Sequence, residues 1–170
     1  MMTGPRGLSR KPPRMPQMKS RILIVGAGPV GLVAACLLVD AGLPVTLVEA
    51  AEDLPRDQRA STFHPPTLDM LERFGVVESM IAQGLICPTW QFRDRTDGVV
   101  ATFELDRLKG ETNHPYRLQC EQWRLGEMLN ERLKGSDLAE IRFGTKATGV
   151  RQSADGVELD VTNSDGSSET

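Results

Sequence analysis

The chain has 170 residues, enough for one domain with a sizeable core. Its make-up, 39% hydrophobic and 25% charged with a net charge of -3, is that of an ordinary soluble globular protein and gives no global reason for a nucleic-acid or anionic-membrane partner. The three cysteines, Cys36, Cys87 and Cys120, lie far apart without a CxxC pair, which argues against a disulfide framework or a zinc site and makes a reducing cytoplasm the simplest expectation.

Residues 1–20 are a separate compositional zone. They carry Arg6, Arg10, Lys11, Arg14 and Lys19 with no acidic residue, and Pro5, Pro12, Pro13 and Pro16. They lack the apolar core of a secretory signal, and the prolines would break the amphipathic helix of a transit peptide. The expectation is a disordered tail, with Met15 or Met18 as an alternative start. Order is expected from Arg21, so that residues 21–170 form the domain.

Ile22–Val25 is wholly apolar and ends in glycines, as a buried parallel strand reads. Pro29–Ala41 follows as a helix, with proline in its first turn and Gly42 at its C-terminus. It contains the longest apolar run, Leu32 to Val39, far short of the roughly twenty residues of a membrane span. Pro44–Val48 is a second apolar strand, closed by Glu49. Ala50–Pro66 reads as a loop. Thr67–Phe74 and Val76–Ala82 are expected as helices broken by Gly75, with Leu68, Leu71, Val77 and Met80 inward. Thr89–Arg93 and Val99–Leu105 are two strand-like runs joined at Asp97-Gly98. Tyr116–Cys120 is a further strand. In the helix Gln122–Lys134, Leu125, Met128, Leu129 and Leu133 recur at helical spacing and Gly135 follows. Leu138–Phe143 is expected as a third parallel strand, and Thr145–Gln152 with Val157–Thr162 as a hairpin about Asp155-Gly156. The polar end, Ser164–Thr170, shows no reason to be ordered. This order places the chain in the α/β class, with a parallel central sheet and β-hairpin excursions.

The segment Gly26-Ala27-Gly28-Pro29-Val30-Gly31 is a GxGxxG loop with a strand before it and a helix after it. An acidic residue, Glu49, closes the next strand about twenty residues on. Gly26 allows the turn off the strand, Gly28 lets a pyrophosphate approach the backbone, and Gly31 lets the helix pack close to the sheet. The helix N-terminus supplies free N–H groups and partial positive charge. Glu49 suits the adenosine ribose hydroxyls and would repel a 2′-phosphate, so the site should not hold NADP. The reading is a Rossmann-like dinucleotide-binding unit for FAD or NAD. Ala35 extends the motif to GxGxxGxxxA, which leans to FAD.

Three segments, GAGPVGL at Gly26–Leu32, RASTFHPPTLDMLERFGV at Arg59–Val76 and YRLQCEQWRLGEMLNERL at Tyr116–Leu133, together resemble the p-hydroxybenzoate hydroxylase family of FAD-dependent aromatic monooxygenases. The resemblance covers about residues 21–166. It implies FAD as cofactor, NAD(P)H as electron donor and hydroxylation of a small aromatic substrate with O2. It implies that Arg59 reaches the FAD pyrophosphate and that Gln122 contacts the cofactor, with Gln119 as the competitor if the register differs. It adds Ala50 beside Glu49, and Ala147 as a backbone contact to adenine. No residue is implied as catalytic.

His64 and His114 lie in loops without a partner acid at a recognisable spacing and are expected to be structural or solvated. Cys36 is expected in the helix core, and Trp90 and Phe92 as packing residues. Family members are about twice as long, and their second FAD segment, a Gly-Asp motif, has no counterpart here. The chain is therefore read as the FAD-binding part, truncated before the substrate domain and not by itself a competent hydroxylase. The alternatives are an NAD-binding dehydrogenase domain and a non-enzymatic remnant.

Overall fold

The computed structural model describes residues 21–57 and 59–170, and the expected N-terminal tail lies outside the described residues. Strand β1 (Ile22–Val25) turns at Gly26 into helix α1 (Pro29–Asp40), which returns to strand β2 (Val45–Val48). Helix α1 starts on proline and ends where Gly42, at φ +75, donates its N–H to the Val39 carbonyl. Then come β3 (Thr62–Phe63), α2 (Pro65–Glu72), α3 (Val77–Gln83) and β4 (Leu85–Cys87). The hairpin β5 (Thr89–Asp94) and β6 (Gly98–Glu104) leads through a 3-10 turn at Leu105–Leu108 to β7 (Arg117–Gln119) and α4 (Gln122–Lys134). Strands β8 (Ala139–Arg142), β9 (Thr145–Gln152), β10 (Val157–Asn163) and β11 (Ser168–Glu169) complete the chain.

The parallel sheet has the order β1-β2-β8, with Ile22 opposite Val45 and Val45 opposite Ala139. Helices α1 and α4 pack together over it. Leu32, Ala35 and Cys36 of α1 and Leu125, Leu129 and Leu133 of α4 are buried in one core with Leu47, and Leu68, Leu71 and Met80 extend it under α2 and α3. A second sheet, β3-β7-β4, is antiparallel throughout, and β9, β10 and β11 form a third. No helix among the described residues is long and apolar enough to cross a membrane.

Four expectations are corrected. Strand β1 pairs as expected but is not buried: Val25 is 60% exposed, because among the described residues β2 is its one paired neighbour. Helix α2 begins at Pro65, within the expected loop, because prolines fit a first helical turn whose N–H groups have no partners. The β5–β6 turn is longer than Asp97-Gly98. The Asp94 carboxylate accepts the N–H groups of Thr96 (2.7 Å) and Asp97 (3.0 Å), and Gly98 at φ +79 re-enters the ladder. Finally, Ser164–Thr170 is ordered: Asp165 accepts from the Ser167 N–H at 2.8 Å and hydroxyl at 2.6 Å, β11 pairs with β10, and Glu169 meets Arg142.

Leu129 is fully buried between α1 and α4, whereas Leu85 is 72% exposed. Leu129→Ala is expected to cost about 2–5 kcal/mol, a cavity term included, and Leu85→Ala much less. Urea unfolding of the two variants checks this ranking.

Candidate functional site

The turn from β1 into α1 is dictated by two glycines. Gly26 takes φ +101, a conformation that side chains disfavour. A Cβ on Gly31 would overlap the Gly26 carbonyl oxygen, whereas a Cβ on Gly28 would meet nothing within 4 Å. Gly31 is thus needed for helix packing, and Gly28 leaves open space above the backbone. Gly28 is the N-cap of α1, and no side chain caps this terminus or places an acid in its first turn. Its unpartnered N–H groups and partial positive charge remain available to an anion.

Glu49 turns towards the loop. Its Oε2 accepts the Ala27 N–H at 2.8 Å and its Oε1 the Ala51 N–H at 2.9 Å. Each carboxylate oxygen retains a lone pair for a further donor. Ala50 is exposed beside it. The start of β9 is tied to the same strand end, since Thr145 N–H donates to the Glu49 carbonyl at 2.8 Å.

A shallow groove over the loop is lined by Ala27, Gly28 and Pro29, and by Arg59 and Gln122. These last two lie far apart in sequence. Two backbone bonds join their segments: Gln122 N–H to the Ala60 carbonyl (3.0 Å) and Cys120 N–H to the Ser61 carbonyl (2.7 Å). Gln119 sits elsewhere, with its amide oxygen accepting from the Ser61 and Thr62 hydroxyls. Val30 is largely exposed on the neighbouring face of α1. Ala147 lies in β9 opposite Val161, outside the set that lines the groove.

The sequence reading did not single out Leu54, Pro55, Asp57, Trp123 and Gly126, which also line the groove; two of them carry polar or aromatic chemistry. Asp57 binds Arg59 through Nε (3.1 Å) and a terminal nitrogen (2.9 Å). Trp123 has two cations near its ring, Arg56 at 5.6 Å and Arg124 at 4.6 Å from the centroid. Asp57 carries no pattern that marks it out, and Trp123 was visible only as one residue of an amphipathic helix.

His114 is corrected in one respect: it does have acid partners. The side chain is buried, with Nδ1 2.7 Å from Asp69 Oδ1 and Nε2 3.5 Å from Glu72 Oε1. The Thr112 hydroxyl donates to the same Asp69 oxygen at 2.8 Å. This cluster fastens the 109–116 loop to α2, consistent with a structural role. The spacing hid it because the partners are 45 residues apart. His64 is exposed at the N-cap of α2. Cys36 is buried in α1, where desolvation pushes its thiol pKa up. Trp90 and Phe92 pack on each other (4.8 Å) and Trp90 on Phe103 (5.4 Å), on an exposed face of the hairpin. Among the described residues no group of three or more His, Cys, Asp or Glu side chains is placed to hold a metal ion.

Residues 19–170 match the family described as an FAD binding domain. The chain belongs to this family, that of the FAD-dependent aromatic monooxygenases. It is 35% identical over 128 residues to 6-hydroxy-3-succinoylpyridine 3-monooxygenase HspB of Pseudomonas putida, which covers 75% of the chain and 33% of that protein. The crystal structure of p-nitrophenol 4-monooxygenase PnpA from Pseudomonas putida superposes with a TM-score of 0.81 at 29% identity, over 87% of this chain and 38% of that one. The OxyS anhydrotetracycline hydroxylase from Streptomyces rimosus superposes with a TM-score of 0.72 at 31% identity, over 86% and 28%. The chain thus spans about a third of the length of the relatives it matches. The family's cofactor is FAD, and the open backbone at Gly28 with an uncapped α1 terminus fits its pyrophosphate.

Gly31→Ala is expected to push α1 off the sheet, lowering stability and dinucleotide affinity together. Thermal unfolding and FAD titration of one preparation check both. A second expectation concerns acid. The Thr112 hydroxyl, then His114, lower the Asp69 pKa below its ordinary value. A depressed folded pKa contributes stability that is present above the unfolded carboxylate pKa, about 4, and is lost as pH falls through the folded value. Asp69→Asn should therefore lose less stability than wild type on acidification from about pH 5 downward, measured by urea midpoints.

Proposed function

We propose that this chain holds the adenosine diphosphate half of FAD within a monooxygenase that hydroxylates a small aromatic substrate with NAD(P)H and O2. The observation that carries the reading is the meeting of Gly28, Arg59 and Gln122 in one groove at the uncapped end of α1. A pyrophosphate carries more charge than a helix terminus offsets, and the Arg59 guanidinium supplies a planar fork suited to phosphate oxygens. The Gln122 amide can donate to phosphate and accept from ribose. Glu49, held in place by the Ala27 and Ala51 N–H groups, accepts from the ribose hydroxyls. Its charge disfavours a 2′-phosphate, so NADPH, if it is the electron donor, binds elsewhere.

When bound, FAD supplies the redox and oxygen chemistry, and the residues described here orient its distal end. The relatives named above are monooxygenases of pyridine, nitrophenol and tetracycline compounds, which supports an aromatic substrate.

Titration of the purified chain with FAD, ADP and NADP+ tests the reading. FAD and ADP should compete, and NADP+ should bind far more weakly. Glu49→Ala and Arg59→Ala should each weaken FAD by about 1.5–3 kcal/mol, the range of hydrogen bonds to charged groups. Unchanged affinity in both variants would contradict the assignment.

A further inference from the structure

The Arg59 guanidinium is already engaged in the groove. Its Nε (3.1 Å) and one terminal nitrogen (2.9 Å) both donate to Asp57 Oδ2, so one edge of the fork holds a carboxylate. Asp57 lines the same groove as Gly28, at the uncapped start of α1. Two further arginines nearby are paired outside the groove lining, Arg56 with Glu127 at 2.7 Å and Arg124 with Glu121 at 2.6 Å. Among the described residues that line the groove, Arg59 is the one cation and Asp57 the one acid. The Asp57 carboxylate is not built as a fixed clamp. Glu49 is held by two backbone N–H groups, whereas Asp57, among the described residues, accepts from Arg59 alone. Both members of the pair are largely exposed, and such a pair is screened and weak.

A carboxylate on Arg59 and a phosphate at the helix terminus compete for the same donors and repel each other. We propose that Asp57 is a resident counter-anion that sets the affinity and selectivity of the groove: it occupies Arg59 until the phosphates of a dinucleotide displace it. Inorganic pyrophosphate has no ribose to place against Glu49, so it gains less on entering and displaces the acid poorly. A dinucleotide makes both contacts. Selectivity then comes from a repulsive group as well as from attractive ones. The inference rests on the dinucleotide reading of the groove and adds a residue of opposite sign. Loss of Glu49 or Arg59 weakens binding, and loss of the Asp57 charge strengthens it.

The test is calorimetric titration of the 170-residue chain and its Asp57→Asn variant with ADP, FAD and inorganic pyrophosphate at one low ionic strength. Asparagine keeps the shape of the side chain and removes its charge. If Asp57→Asn does not fold, as judged by its thermal transition, Asp57→Ala carries the decision. Asp57→Asn should bind ADP and FAD about fivefold more tightly, the upper worth of an exposed ion pair. Pyrophosphate should gain at least as much, and should bind the unsubstituted chain more weakly than ADP does. The gain for ADP should shrink when Arg59→Ala is added, because no donor is then left to release. Equal or weaker ADP binding by Asp57→Asn would make Asp57 a positioning acid and overturns the proposal. A gain that Arg59→Ala leaves undiminished overturns it as well. Absence of ADP and FAD binding in both chains is the separate signature of a failed dinucleotide reading, and this inference falls with it.

Discussion

At the start of α1 there is no room for a side chain between the helix and the strand that feeds it. Gly31 lies so close to the Gly26 carbonyl that even a methyl group would separate the two. This contact sets the helix directly on the sheet, with its first turn at the C-terminal end of β1. The rest of the domain is arranged around that placement. Leu32, Ala35 and Cys36 are turned into the core, where α4 meets them, and Gly126 of α4 comes within ordinary contact of Leu32. The free N–H groups of the first turn are turned outward, towards the groove.

The groove is then completed by chain segments that the sequence leaves far apart. Strand β7 and the start of α4 bring Gln122 to the loop, and the bond from Gln122 N–H to the Ala60 carbonyl brings Arg59 beside it. The electrostatics are balanced rather than uniformly positive. Arg59 faces Asp57, and both are largely exposed, so the pair is screened and contributes little to stability. Glu49 has a different standing, because both its oxygens take backbone N–H groups and its direction is fixed before any ligand arrives. A pre-oriented acceptor loses less entropy on binding than a free one.

Away from this groove, the Asp69–Thr112–His114 cluster ties the loop before β7 to α2, and so helps to fix the strand that delivers Gln122. Arg117, in the same strand, lines a separate, mainly apolar cavity with Pro65, Pro66, Leu105 and Leu108.

The sequence by itself determined the βαβ unit, since a wholly apolar strand, a glycine loop, a proline-led helix and a closing acid are local patterns whose geometry follows from backbone sterics and helix capping. It also made the inward faces of α2, α3 and α4 legible, because Leu68 and Leu71, Val77 and Met80, and Leu125 and Leu129 are spaced three or four residues apart, on one helical face. The tertiary structure alone decided the pieces too short to carry a period. Strands β3 and β4, two and three residues long, exist because β7 offers hydrogen bonds on both sides. The ordering of Ser164–Thr170 came from Asp165, Glu169 and β10 acting together, none of which is visible in a polar stretch read alone. The same holds for Asp57 and Trp123 in the groove, for the acid partners of His114, and for Arg117 lining a mainly apolar cavity. Each depends on which distant backbone a residue is folded against, and sequence spacing carries no record of that.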